Sequence, residues 1–120
     1  MSVTIEQRLI VWRFLLALAL SVAIVTTLLP EPPRLPLDGI GDKWAHALAF
    51  ATLALLASLA YPKAPVTRIG GRLSSLGALI EVLQSIPALH RDCDIRDWLA
   101  DTAGIIAVLA LVTLARRART

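Results

Sequence analysis

From Leu9 to Leu29 the chain reads LIVWRFLLALALSVAIVTTLL, 21 residues in which Arg13 is the single charge. A helix rises ~1.5 Å per residue, so this run covers about 30 Å, the thickness of a bilayer's hydrocarbon core. Arg13 lies one turn from the start, where a long side chain reaches back to the interface, and Trp12 is an interface anchor. Pro30, Pro32 and Pro33 then stop the helix. The competing reading is a cleaved signal peptide, since Arg8 and Arg13 precede an apolar core. No A-x-A-like site follows, and PEPP is a poor place to cut, so the run is expected to remain as a span.

The rest of the chain repeats the theme. Residues 30–43, PEPPRLPLDGIGDK, read as a polar loop ending at an N-cap, Asp42. WAHALAFATLALLASLAY, from Trp44 to Tyr61, holds one ionisable group, His46. A basic loop over 62–72, PKAPVTRIGGR, leads to a third helix over 73–89, which contains Glu81 and Gln84. A fourth helix over 97–115 ends in Arg116, Arg117 and Arg119. No stretch alternates with strand period. The expected fold is all-α, an integral membrane bundle of four transmembrane helices at about 9–29, 44–61, 73–89 and 97–115. They form one domain over residues 1–120, with antiparallel neighbours. Apolar residues make up 57% and charged ones 18%, against ~45–50% and ~25% in soluble domains, which agrees. The net charge of +3 does not imply nucleic acid, because the basic residues lie scattered at helix ends without aromatic interleaving. Cys93 is the single cysteine, so no intramolecular disulfide can form.

Charge also orients the chain. Four spans put the N-terminus, the 62–72 loop and the C-terminus on one side. Eight of the twelve basic residues fall there: Arg8, Arg13, Lys63, Arg68, Arg72, Arg116, Arg117 and Arg119. Arg34, Lys43, Arg91 and Arg96 fall on the other, together with most of the acids. Lys and Arg are enriched in cytoplasmic loops. Both termini are therefore expected in the cytoplasm, in the cell (inner) membrane, with the 30–43 and 90–97 loops outside.

In this topology the polar residues share a depth. His46 lies one turn into the second helix and Asp101 one turn into the fourth. Gln84 and Glu81 lie one to two turns below the outer end of the third. Each belongs to a single face: Lys43, His46, Ala47 and Phe50; Ser74, Gly77, Glu81, Gln84 and Ala88; Asp97, Asp101, Gly104 and Val108. Small residues let helices approach closely, and ionisable residues within spans face the bundle interior. The expectation is a polar pocket between helices two, three and four, open to the outside, with the first helix as packing. Glu81 is nearest the membrane centre and needs a partner, with Lys43, His46 and Arg91 as candidates. Trp44 and Trp98 are expected at the outer interface.

These residues resemble the pattern of the VanZ-like membrane proteins. That pattern has an Asp-Lys-x-x-His opening a helix and then an aromatic, matched by Asp42, Lys43, His46 and Phe50. A Glu-x-x-Gln is matched by Glu81 and Gln84. An Arg with acids at +3 and +6 is matched by Arg91, Asp94 and Asp97. Asp101 stands where the family usually has Asn, Gly104 fits, and Val108 replaces a frequent second Gly. The resemblance covers roughly residues 40–110. It implies a small helical membrane protein, tied in some members to glycopeptide (teicoplanin) resistance.

The functional readings remain three. One is a binding protein in which Lys43, Arg91 and Arg96 hold an anionic lipid headgroup or envelope precursor. The second is an intramembrane hydrolase or transferase on a lipid-linked substrate, with His46 or Glu81 as general base. No G-x-S-x-G or HExxH supports it, and the catalytic residues stay unassigned. The third is an ion-pair network that holds helices in register. The candidate polar cluster comprises Asp42, Lys43, His46, Glu81, Gln84, Arg91, Asp94, Asp97 and Asp101. HRDCD, from His90 to Asp94, lacks a recognised zinc spacing, so neither metal nor cofactor is assigned. Membrane lipids are the expected partners.

Overall fold

The computed structural model describes residues 4–28, 42–86 and 95–119, with Leu28, Asp42 and Lys43 described in backbone only. Four helices account for nearly all of them: α1 (Ile5–Leu28), α2 (Asp42–Ala60), α3 (Val66–Gln84) and α4 (Ile95–Ala118). The fold is an all-α bundle of four helices. Two of them, α1 over Ile5–Thr27 and α4, are long and apolar enough to cross a membrane by length and composition. The apolar part of α2, Trp44–Ala60, is shorter.

Local chemistry sets the helix starts. Thr4 and Gln7 form a reciprocal capping box: Gln7 N–H donates to Thr4 Oγ1 at 3.1 Å, and Thr4 N–H donates to Gln7 Oε1 at 2.9 Å. Pro65 caps α3 from an extended conformation, φ −61° and ψ 140°, as its missing N–H and fixed φ allow. Asp97 in the first turn of α4, and Arg116 and Arg117 in the last, complement the helix dipole. Hydroxyls on the apolar helices bond back to their own backbones. Ser21 donates to Ala17 O, Thr27 to Ala23 O, Ser58 to Ala54 O and Thr113 to Leu109 O, each within 2.7–2.8 Å. Such bonds leave the helix surface apolar to its surroundings.

Helix α2 is the centre. Phe50, Leu53, Ala54, Ala57 and Ala60 are all buried, at the i, i+3, i+4 spacing of one face, and α2 packs against the other three helices. Ile69, Leu73 and Ile80 of α3, Ile105 and Leu109 of α4 and Leu16 of α1 complete the core. The outward face of α1 leaves Ile10, Phe14, Leu18, Val22 and Val25 exposed.

Side-chain bonds fix the order of the ends. Arg13 Nε donates to Ala60 O at 3.0 Å, and its guanidinium lies 4.6 Å from the Tyr61 ring centroid. Arg116 Nη1 donates to Ala64 O at 2.7 Å. The start of α1, the α2–α3 turn and the finish of α4 therefore share one end of the bundle. At the other end Gln84 Nε2 donates to Thr27 O at 2.8 Å, and His46 meets Asp101. The helices run up, down, up and down.

The third helix departs from expectation at both ends. It begins at Val66 rather than Leu73, so Arg68 and Arg72 lie on helix and not in a loop. Gly70 and Gly71 sit inside it, and Gly70 is there for packing: a Cβ would stand 3.0 Å from Leu109 Cδ1. The helix ends at Gln84, with Ser85 as C-cap, rather than at Leu89. Pro87 follows two residues later, and the residue before a proline disfavours the helical region.

Candidate functional site

One face each of α2, α3 and α4 carries polar side chains into the same part of the bundle. His46 comes from the first turns of α2, Glu81 from the last turn of α3, and Asp97 and Asp101 from the first two turns of α4. His46 Nδ1 lies 3.0 Å from Asp101 Oδ1, a hydrogen bond between helices, and Nε2 lies 3.7 Å from Asp97 Oδ2. One donor atom from each of His46, Glu81 and Asp101 falls within 4.8 Å of the others. Asp101 is 1% exposed and Glu81 and Asp97 each 6%, so the carboxylates are inside the protein.

Two glycines make this possible. A Cβ on Gly104 would stand 2.2 Å from Ala47 O, so α2 and α4 touch backbone to backbone beside His46. A Cβ on Gly77 would stand 3.0 Å from Asp101 Oδ2, so the Asp101 carboxylate lies flat on α3. Beneath the cluster, Ser74 and Thr102 share a hydrogen bond of 3.0 Å, and Trp98 Nε1 donates to Ser74 O at 3.0 Å. These contacts set the rotation of α4 on α3 and hence the aim of Asp101.

The remaining candidates fall apart from this group. Gln84 is buried, but its amide is committed to Thr27 O on α1. Asp42 and Lys43 open α2, with Lys43 three residues ahead of His46 on the chain. Arg91 and Asp94, like His90, Asp92 and Cys93, lie outside the described residues. Trp44 is exposed, whereas Trp98 is half-buried and turned into the α3–α4 contact. Sequence reasoning passed over Thr102 and Thr27. Thr102 adjoins Asp101, but the period of α4 assigns it to a neighbouring face. Thr27 acts through its carbonyl, which leaves no mark in the sequence.

A half-buried imidazole beside buried carboxylates supports two kinds of chemistry. Asp101 on Nδ1 orients the ring, with Nε2 turned toward Asp97, so the imidazole is placed for proton exchange with either carboxylate. The same donors also suit a cation. The chain matches no protein-family model, no curated protein and no solved structure. What the fold and site define is a class: a small four-helix protein with two membrane-compatible apolar helices and a buried His–carboxylate cluster shared among three helices.

Proposed function

We propose that all four helices cross the cell membrane, both termini facing the cytoplasm, and that the cluster at the opposite end is the binding site for an envelope or lipid-linked ligand. One observation carries this reading. His46, Glu81, Asp97 and Asp101 come from three helices into a single group within an otherwise apolar bundle. Ionisable side chains in such a setting are expensive and are kept at functional sites. Topology follows from the ends: the Arg13, Ala60 and Arg116 contacts gather the basic end of the chain, and positive charge faces the cytoplasm. The apolar stretch of α2, Trp44–Ala60, meets the lower length limit of ~17 residues for a span.

In this reading His46 and the carboxylates are the floor of the site. Lys43, Arg91 and Arg96 flank it along the chain and supply the cations for an anionic headgroup or envelope precursor. The resemblance to VanZ-like proteins belongs to the same proposal, since His46, Glu81, Asp97 and Asp101 occupy its pattern positions. Native mass spectrometry of the purified protein tests it. The wild type is expected to carry a lipid or precursor adduct that Arg91→Ala loses while remaining helical; an unchanged adduct overturns the anionic-ligand reading. Protease access to a C-terminal tag tests the topology, and cleavage from outside intact cells reverses it.

A second reading is favoured by the 3.0 Å His46–Asp101 bond, which orients His46 as a general base toward a lipid-linked substrate. Turnover retained in His46→Gln and Glu81→Gln sinks it.

A further inference from the structure

We infer that His46, Glu81 and Asp101 form a site for one divalent first-row transition metal ion, Zn²⁺ or Mn²⁺, with Asp97 as the carboxylate behind the histidine. This deepens the binding-site reading above and rests on it, but not on any anionic ligand. The donor set is one imidazole nitrogen and two carboxylate oxygens. Imidazole suits zinc and its neighbours, carboxylates suit manganese as well, and three protein ligands leave positions open for water or a ligand.

The distances fit one ion. Two ligands bound at ~2.1 Å and at right angles stand about 3.0 Å apart. His46 Nδ1 and Asp101 Oδ1 are separated by 3.0 Å. The three donors fall within 4.8 Å of one another. Opposite ligands of a six-coordinate ion stand about 4.2 Å apart and tetrahedral ones about 3.4 Å, so a group spanning 4.8 Å closes by about 0.6 Å on the first and about 1.4 Å on the second.

A second observation points the same way. Metal-bound histidines present their other ring N–H to a carboxylate, which orients the ring and raises its basicity. Here Asp97 Oδ2 stands 3.7 Å from Nε2, so a shift of about 0.5 Å would bring it into hydrogen-bond range. At Gly77 helix α3 itself puts no side chain against Asp101 Oδ2, which a Cβ would approach to 3.0 Å. The run from His90 to Asp94 offers ligand types without a zinc spacing. The fold instead draws them from α2, α3 and α4.

Binding would displace the proton shared by His46 Nδ1 and Asp101 Oδ1, so metal uptake releases a proton and strengthens as pH rises. The test uses the full chain in detergent, stripped with chelator and titrated calorimetrically with ZnCl₂ or MnCl₂, with no envelope ligand present. One equivalent per chain is expected, and pulsed electron paramagnetic resonance of the Mn²⁺ form should show one imidazole nitrogen. His46→Gln and Glu81→Gln are expected to weaken binding by more than Asp97→Asn, for which a loss of about 10–100-fold is expected. His90→Gln should bind as the wild type does. Absence of stoichiometric uptake by the wild type, absence of the nitrogen coupling, or unchanged affinity in His46→Gln overturns the inference. The wild-type measurements decide even where a variant fails to fold. Loss of the lipid adduct reading in Arg91→Ala leaves them untouched.

Discussion

The two ends of the bundle handle charge in opposite ways. At the basic end Arg13 and Arg116 each reach the α2–α3 turn and donate to a main-chain carbonyl, Ala60 O and Ala64 O. Arg13 stays exposed and also rests on the Tyr61 ring, while Arg116 is half-buried with its Nη2 enclosed by the protein. At the acidic end His46, Glu81, Asp97 and Asp101 turn inward and meet one another across three helices. The first arrangement satisfies backbone groups that any turn between helices leaves open. The second needs helices brought to backbone contact at Gly104 and a carboxylate laid against Gly77. Precision is concentrated where the polar groups are.

Gly104→Ala is expected to have the largest effect. The added Cβ would meet a backbone carbonyl at 2.2 Å, which no rotamer relieves. Helices α2 and α4 must separate, at a cost at or above the upper end of the ~1–3 kcal/mol typical of overpacking. Thermal unfolding in detergent measures it, and a wild-type melting temperature would break the claim of close contact.

Asp101→Ala comes next. It removes the partner of His46 from a site that is 1% exposed, and losing a buried charge-assisted hydrogen bond costs about 1.5–3 kcal/mol. Asp101→Asn keeps the shape and an acceptor, so it should recover most of that stability. If Ala and Asn behave alike, the hydrogen bond contributes nothing and only volume matters.

Arg13→Ala tests the basic end. It loses one hydrogen bond to Ala60 O and an exposed cation–π contact, together about 1–2 kcal/mol. Arg13→Lys keeps the charge but not the forked geometry and should fall between. A loss larger than that of Asp101→Ala would invert the contrast between the ends.

Much of this was legible in the sequence, in unequal parts. Hydrophobic runs locate α1, α2 and α4 because each is apolar over nearly its whole length. They misplace α3, whose apolar face is only a stripe. Gly70 and Gly71 imitate a turn there, and Pro87 was overlooked as a stop. Periodicity assigns Glu81, Asp97, Asp101 and His46 to inward faces, since charge in an apolar chain has nowhere else to go. It does not decide which of them bond. Each residue turns a helix by about 100°, so a small rotation exchanges partners. Thus Gln84, on the stripe of Glu81, goes to Thr27 of α1, while Asp101 meets His46 Nδ1.

The smallest effect has the opposite sign, and it sharpens the contrast because the substitution is the one made at Gly104. Gly71 lies within α3 at the basic end, exposed, and a Cβ there would meet nothing within 4 Å. Alanine removes backbone freedom from the unfolded chain and favours the helix, so Gly71→Ala should stabilise by about 0.4–1 kcal/mol. Gly70, one residue earlier, faces Leu109 Cδ1 at 3.0 Å, the end of a side chain that can shift, so Gly70→Ala should fall near neutral. The three alanine variants then order as Gly71 above Gly70 above Gly104 in melting temperature. If Gly71→Ala destabilises instead, that face of α3 is covered in the folded protein, and the basic end is as tightly built as the acidic one.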